Sequence, residues 1–271
     1  MSKKKIKKKT IIILSVILML IIVAFSPPGS YGLSLGVMKI YSASEAEGSY
    51  MKEKGISIDI PSADGWYPFV MTFNADSGFK SFSSGQAEHL TIMYNFPEFD
   101  LKKGCSKIYD DKSPYYSSFY GAYCVDGDFG FDENGKLDSE QAGMVPEYDY
   151  TRLVLRDLGL SDEKTVFEWK VKETGENAEI AGTEGWSFVY ADLMVNGLLH
   201  EKKEYLRNYI QYGVPKYAVS KEFAPVNMKG RVYGKYFEEK DVSIYFYVIA
   251  SEEKVIEQFE NEILSKSKIE Q

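Results

Sequence analysis

Six lysines, Lys3, Lys4, Lys5, Lys7, Lys8 and Lys9, stand directly before an uncharged run from Ile11 to Phe25 (IIILSVILMLIIVAF), whose only hydroxyl is Ser15. Nothing else in the chain is so apolar, which argues against an ordinary core helix. A helix over this run would rise roughly 22 Å at ~1.5 Å per residue, short of a ~30 Å hydrocarbon core unless flanking residues help or the bilayer thins. The positive-inside rule keeps the lysines cytoplasmic, so the chain beyond Phe25 is expected outside. Pro27 and Pro28 then end the helix, because they remove donors and fix φ.

Two fates fit this segment. A retained single-pass anchor is preferred, because the n-region is strongly charged and no A-x-A site follows. The alternative is secretion after cleavage near Gly32, where Ser30 and Gly32 supply small residues. Ala24-Phe25-Ser26 also offers them, but Pro27 blocks that cut. The expected organisation is a Lys-rich tail over 1–10, an anchor or signal segment over 11–25, a stalk or tether over 26–49 and a globular domain over 50–271.

Charge limits the partners. None of the 40 acidic residues precedes residue 26 and six of the 32 basic ones do, so the exported part carries 26 basic residues and a formal charge of −14. Such a surface repels phosphate backbones, which disfavours nucleic acid, and it disfavours docking on strongly anionic lipid. The expected partners are the membrane, through the N-terminal segment, and an envelope sugar or protein.

Period-two alternation marks Ile56–Ile60 as a half-buried strand, and the β-branched and aromatic runs 66–73, 89–96 and 115–125 as others. Asn134-Gly135 reads as a hairpin tip. Tyr150, Val154 and Leu158 predict a helix entered at Pro146 and stopped at Gly159, and a second is expected over 199–212. The segments 231–237 and 242–250 form a hairpin around Glu238-Glu239-Lys240-Asp241. Its second strand, VSIYFYVIA, is apolar on both faces and so is expected in the middle of a covered sheet. A last helix from Glu252, capped by Ser251, carries the stripe Val255, Ile256, Phe259, Ile263 and Leu264. The fold class is α+β: a mostly antiparallel sheet with about three packed helices, after one transmembrane or signal segment.

No motif names a reaction, and no cofactor or metal is expected. The histidines are His89 and His200. His89 with a serine from Ser81–Ser84 lacks a nucleophile elbow. The acids from Asp126 to Asp138 suggest calcium, but Gly130 and Gln141 occupy the end-ligand positions of a loop template, which favours a solvated hairpin tip. His89, Cys105, Cys124 and His200 lack zinc spacing. Glu98 and Asp100 are neighbours in sequence rather than a facing glycosidase pair.

Of the 21 tyrosines, Tyr109, Tyr115, Tyr116, Tyr120 and Tyr123 crowd, with Phe119, into YDDKSPYYSSFYGAYC. Read as a strand, it turns Tyr116 and Tyr120 to one face, a platform for a sugar or peptide if it is not covered core. Cys105 and Cys124, in an oxidising compartment, are expected to form a disulfide. The function expected is a membrane-anchored extracytoplasmic domain with a binding or envelope-associated role. A cell-envelope hydrolase and a structural subunit of a membrane complex are the alternatives.

Overall fold

Alternating β-branched and aromatic residues pair here into one antiparallel sheet. The computed structural model describes residues 8–100, 102, 105–156, 160–198 and 223–271. The strands are β1 (Ser57–Asp59), β2 (Met71–Asn74), β3 (Leu90–Asn95), β4 (Phe99–Asp100), β5 (Cys105–Ser106), β6 (Phe119–Asp126), β7 (Phe167–Ile180), β8 (Thr183–Asn196), β9 (Pro225–Phe237), β10 (Val242–Ala250) and β11 (Lys268–Glu270). Seven of them form a sheet in the order β2-β3-β6-β10-β9-β8-β7, while β1 pairs with β11 and β4 with β5. The architecture is mixed α+β, as the sequence suggests.

Strand β10 is buried along its whole length at the centre of the sheet. Tyr245, Tyr247 and Ile249 enter one core cluster with Phe119, Tyr123 and Val189. Ile244, Phe246 and Val248 enter the other with Ala122, Tyr233 and Phe259. Both faces are therefore covered, which is why the strand reads apolar on both. Gly121 lies opposite Tyr94 and Tyr247, and a Cβ there would meet the Met93 carbonyl oxygen at 2.2 Å. Its missing side chain leaves room for the Tyr247 ring.

On the first face, a short helix (Met144–Glu147) runs into a wide π turn, Tyr148–Leu155, which buries Tyr150 and Val154. The helix expected from Pro146 is thus present, with Leu158 and Gly159 outside the described residues. The helix expected over 199–212 also lies outside them, as does His200. On the second face, the C-terminal helix (Glu253–Gln258) continues through a π turn to Ile263, and all five residues of the expected stripe are buried. The cap differs: Glu252, not Ser251, is the N-cap, and it makes no side-chain bond. The 66–73 run is a strand only over β2, since Trp66 makes a single bridge to Pro97.

The N-terminal third departs most from expectation. Helix α1 (Lys8–Phe25) is followed, after a break at Ser26, by α2 (Pro27–Glu47), where a tether is expected. Gly29 packs the first turn of α2 onto the end of α1: a Cβ there would lie 1.8 Å from the Val23 carbonyl oxygen. Helix α2 docks on β2, the sheet edge. Met38 and Ser42 are buried, and the Ser42 hydroxyl accepts the Thr72 N–H at 2.8 Å. Glu45 Oε2 accepts the Asn74 N–H at 3.2 Å. These side chains occupy donors that an uncovered edge strand would offer to another chain.

No helix among the described residues is long and apolar enough to cross a membrane. The 18 residues of α1 rise ~27 Å, and two of them are lysines.

Candidate functional site

The β7–β8 hairpin turns at Ala181-Gly182, both at positive φ as a tight primed turn requires. Its second strand, β8, alternates Trp186, Phe188 and Tyr190 onto one side of the sheet. Register with β9 sets Phe188 opposite Tyr233 and Tyr190 opposite Arg231. The end of the C-terminal helix crosses this surface. A groove of about 290 Å³ results, lined by Ala178, Glu179, Phe188, Tyr190, Tyr233 and Glu260 among others.

Its polar groups form one chain. The Tyr233 hydroxyl donates to Glu260 Oε1 at 2.6 Å, and the Tyr190 hydroxyl lies 3.4 Å from that of Tyr233. Since Tyr233 has one proton to give, Tyr190 is the donor in the second contact. Burial, and then the Glu260 carboxylate, push the Tyr233 hydroxyl well above its ordinary pKa, so it stays a donor. The Arg231 guanidinium covers one face of the Tyr190 ring at 4.1 Å and pairs with Glu253 and Glu260. That cross-strand cation–π contact holds the ring in place. Glu260 Oε2 has no partner among the described residues. The groove therefore offers a ligand an apolar ring surface and an open carboxylate oxygen, which suits a molecule carrying hydroxyl or ammonium donors.

The residues expected to bind lie elsewhere. Tyr120 is 0% exposed: it accepts from Asn95 at 3.0 Å, donates to the Pro61 carbonyl at 2.9 Å and packs edge-on against Trp66. It is part of the core. Tyr116 belongs to the turn before β6, half-buried, its hydroxyl against Gly197. The segment does not run as one strand because Ser117 takes φ 55°, which turns the chain into β6. The neighbouring Tyr115 hydroxyl donates to Gln258 Oε1 at 3.1 Å.

Cys124 is a free thiol in β6, buried in the second core cluster, and burial pushes its pKa up to about 12. The Cys105 side chain lies outside the described ones, and no described contact joins it to Cys124.

His89 is half-exposed, stacks on Tyr50 at 4.6 Å and has Nδ1 3.4 Å from Asp76 Oδ2. Ser83 instead serves its own loop, accepting the Ala87 N–H at 3.3 Å. Glu98 is paired with Lys107, and Asp100 accepts the Lys102 N–H at 2.8 Å. Asp132 Oδ1 accepts the Asn134 and Lys136 N–H groups at 2.8 and 2.9 Å, so backbone donors take that carboxylate oxygen at the hairpin tip. Among the described residues no group of three or more His, Cys, Asp or Glu is placed to hold a metal.

Compared with protein-family models, with curated proteins and with solved structures, the chain matches none, so what can be said of its function rests on its own residues.

Proposed function

We propose that this chain is a single-pass, membrane-anchored domain facing the extracytoplasmic side, which binds a ligand in the β8–β9 groove. The observation that carries the anchor is the exposure of α1. Its twelve large apolar residues from Ile11 to Val23 are 47–62% exposed, and no part of the described protein covers them. A helix apolar all round requires an apolar surrounding, and lipid supplies it. The shortfall in length is met by local thinning and by Lys8 and Lys9 reaching to the interface. Retention is favoured over cleavage near Gly32, because a cut there falls inside α2 and removes Tyr31, whose ring stacks on Phe99 at 5.4 Å.

The test is protease treatment of intact cells or spheroplasts after alkaline washing of the membranes. The full-length chain should stay with the membranes, and added protease should remove everything beyond α1 while a cytoplasmic control survives. Release by the wash, or protection equal to the control, sinks the proposal. For the groove, Glu260→Gln should weaken ligand capture without altering turnover of any substrate. A hydrolytic activity lost in that variant would make the hydrolase reading the right one.

A further inference from the structure

We propose that the outward face of α2 lies on the outer surface of the bilayer, so that the domain sits against the membrane along its β2 edge. This rests on the anchor reading above. Leu33, Val37, Ile40 and Tyr41 are 58%, 66%, 74% and 42% exposed. Their spacing of four, three and one places them on one side of the helix. The opposite side is already used: Tyr31, Leu35 and Met38 pack on the first core cluster, and Ser42 and Glu45 hold β2.

Three observations select the bilayer as the occupant. First, the stripe continues from α1: only the break at Ser26 separates the helices, and Gly29 packs their ends together. Whatever surrounds α1 is therefore next to Leu33. Second, the charge is right. The chain beyond α1 is strongly acidic, yet α2 has no acid before Glu45, and the charge between residues 27 and 44 is Lys39. An uncharged interface with one lysine and a tyrosine at its margin suits a headgroup layer, where such helices settle ~5–10 Å deep. Third, four side chains are far fewer than the ~20–30 residues a side of a stable protein interface, which disfavours a second copy.

The arrangement also places the groove. Strand β8 lies five strand steps across the sheet from β2, ~24 Å at ~4.8 Å per step, so the groove stands that far from the edge that meets the lipid.

The experiment uses the full chain in phosphatidylcholine vesicles with brominated acyl chains. Cys105→Ser removes one thiol, and buried Cys124 stays unlabelled in the folded protein. An environment-sensitive fluorophore is attached in turn to Leu18→Cys, Val37→Cys, Ile40→Cys and, as an exposed control, Glu133→Cys. Circular dichroism confirms that each variant is folded. Blue-shifted, quenched emission at 18, 37 and 40 but not 133 is expected. Quenching at 18 alone overturns the α2 contact and leaves the anchor standing. Quenching at none of them overturns the anchor and the contact together. Emission at 37 and 40 that is blue-shifted but unquenched, with cross-linking between copies through Val37→Cys, overturns the bilayer in favour of a second copy.

Discussion

The Tyr247 hydroxyl donates to Asp149 Oδ2 in the centre of the first core cluster, and Asp149 has no exposed surface. The other oxygen, Oδ1, has no partner among the described residues. A carboxylate with one hydrogen bond is poorly compensated for lost water, so burial raises its pKa from 3.8 to about 7, against a smaller lowering by Tyr247. The folded state therefore holds this proton where the unfolded chain has released it. The contribution is complete below pH 3.8 and is lost as pH rises towards about 7. By linkage it is worth on the order of 4 kcal/mol. Denaturant titrations across that window should show stability falling with pH, and Asp149→Asn should flatten the fall. An equal slope in the variant would show that other groups cause it.

Tyr120 and Tyr116 should separate sharply in a stability assay. Tyr120→Ala empties a fully buried site and is expected to cost about 3–5 kcal/mol, while Tyr120→Phe leaves the Asn95 amide and the Pro61 carbonyl short of a partner at ~1–3 kcal/mol. Tyr116→Ala, at a half-buried turn, should cost less than Tyr120→Ala. Equal and small losses at both positions would restore the surface platform.

Strand content was legible because burial writes itself locally. VSIYFYVIA is apolar on both faces, Ser243 apart, since helices cover both sheet faces, and the stripe from Val255 to Leu264 has the helical period of one buried side. Helix α2 was not legible. Gly29, Gly32, Gly36 and its serines are weak helix formers, and the helix persists because β2 supplies a surface to dock on, a contact between segments some thirty residues apart. The groove was missed for a similar reason. The alternation of Trp186, Phe188 and Tyr190 signals an aromatic face, but only the register with Tyr233 and Arg231, and the return of Glu260 from the C-terminal helix, turn that face into a site.

The thiol of Cys124 should be inert while the protein is folded. Its burial and raised pKa keep the reactive thiolate scarce. Mass spectrometry after alkylation in denaturant without reductant should find both cysteines modified, and alkylation under native conditions should leave Cys124 untouched. Two unmodified cysteines in the denatured sample would establish the Cys105–Cys124 bond.

The contact of α2 with β2 predicts what becomes of the domain without its N-terminal helix. Ser42→Ala leaves the Thr72 N–H without an acceptor, and Glu45→Ala does the same at Asn74, each at about 1–3 kcal/mol if water does not replace them. Hydrogen exchange should quicken at Thr72 and Asn74 in these variants and stay unchanged in central β10. A fragment starting at Tyr50, the boundary that composition suggests, loses both acceptors and uncovers the apolar surface beneath Met38. It should therefore associate through the bare β2 edge, visible as concentration-dependent sedimentation absent from the chain that keeps α2. A monomeric Tyr50 fragment with unchanged exchange at 72 and 74 would show that α2 is a passive linker and that the edge protects itself.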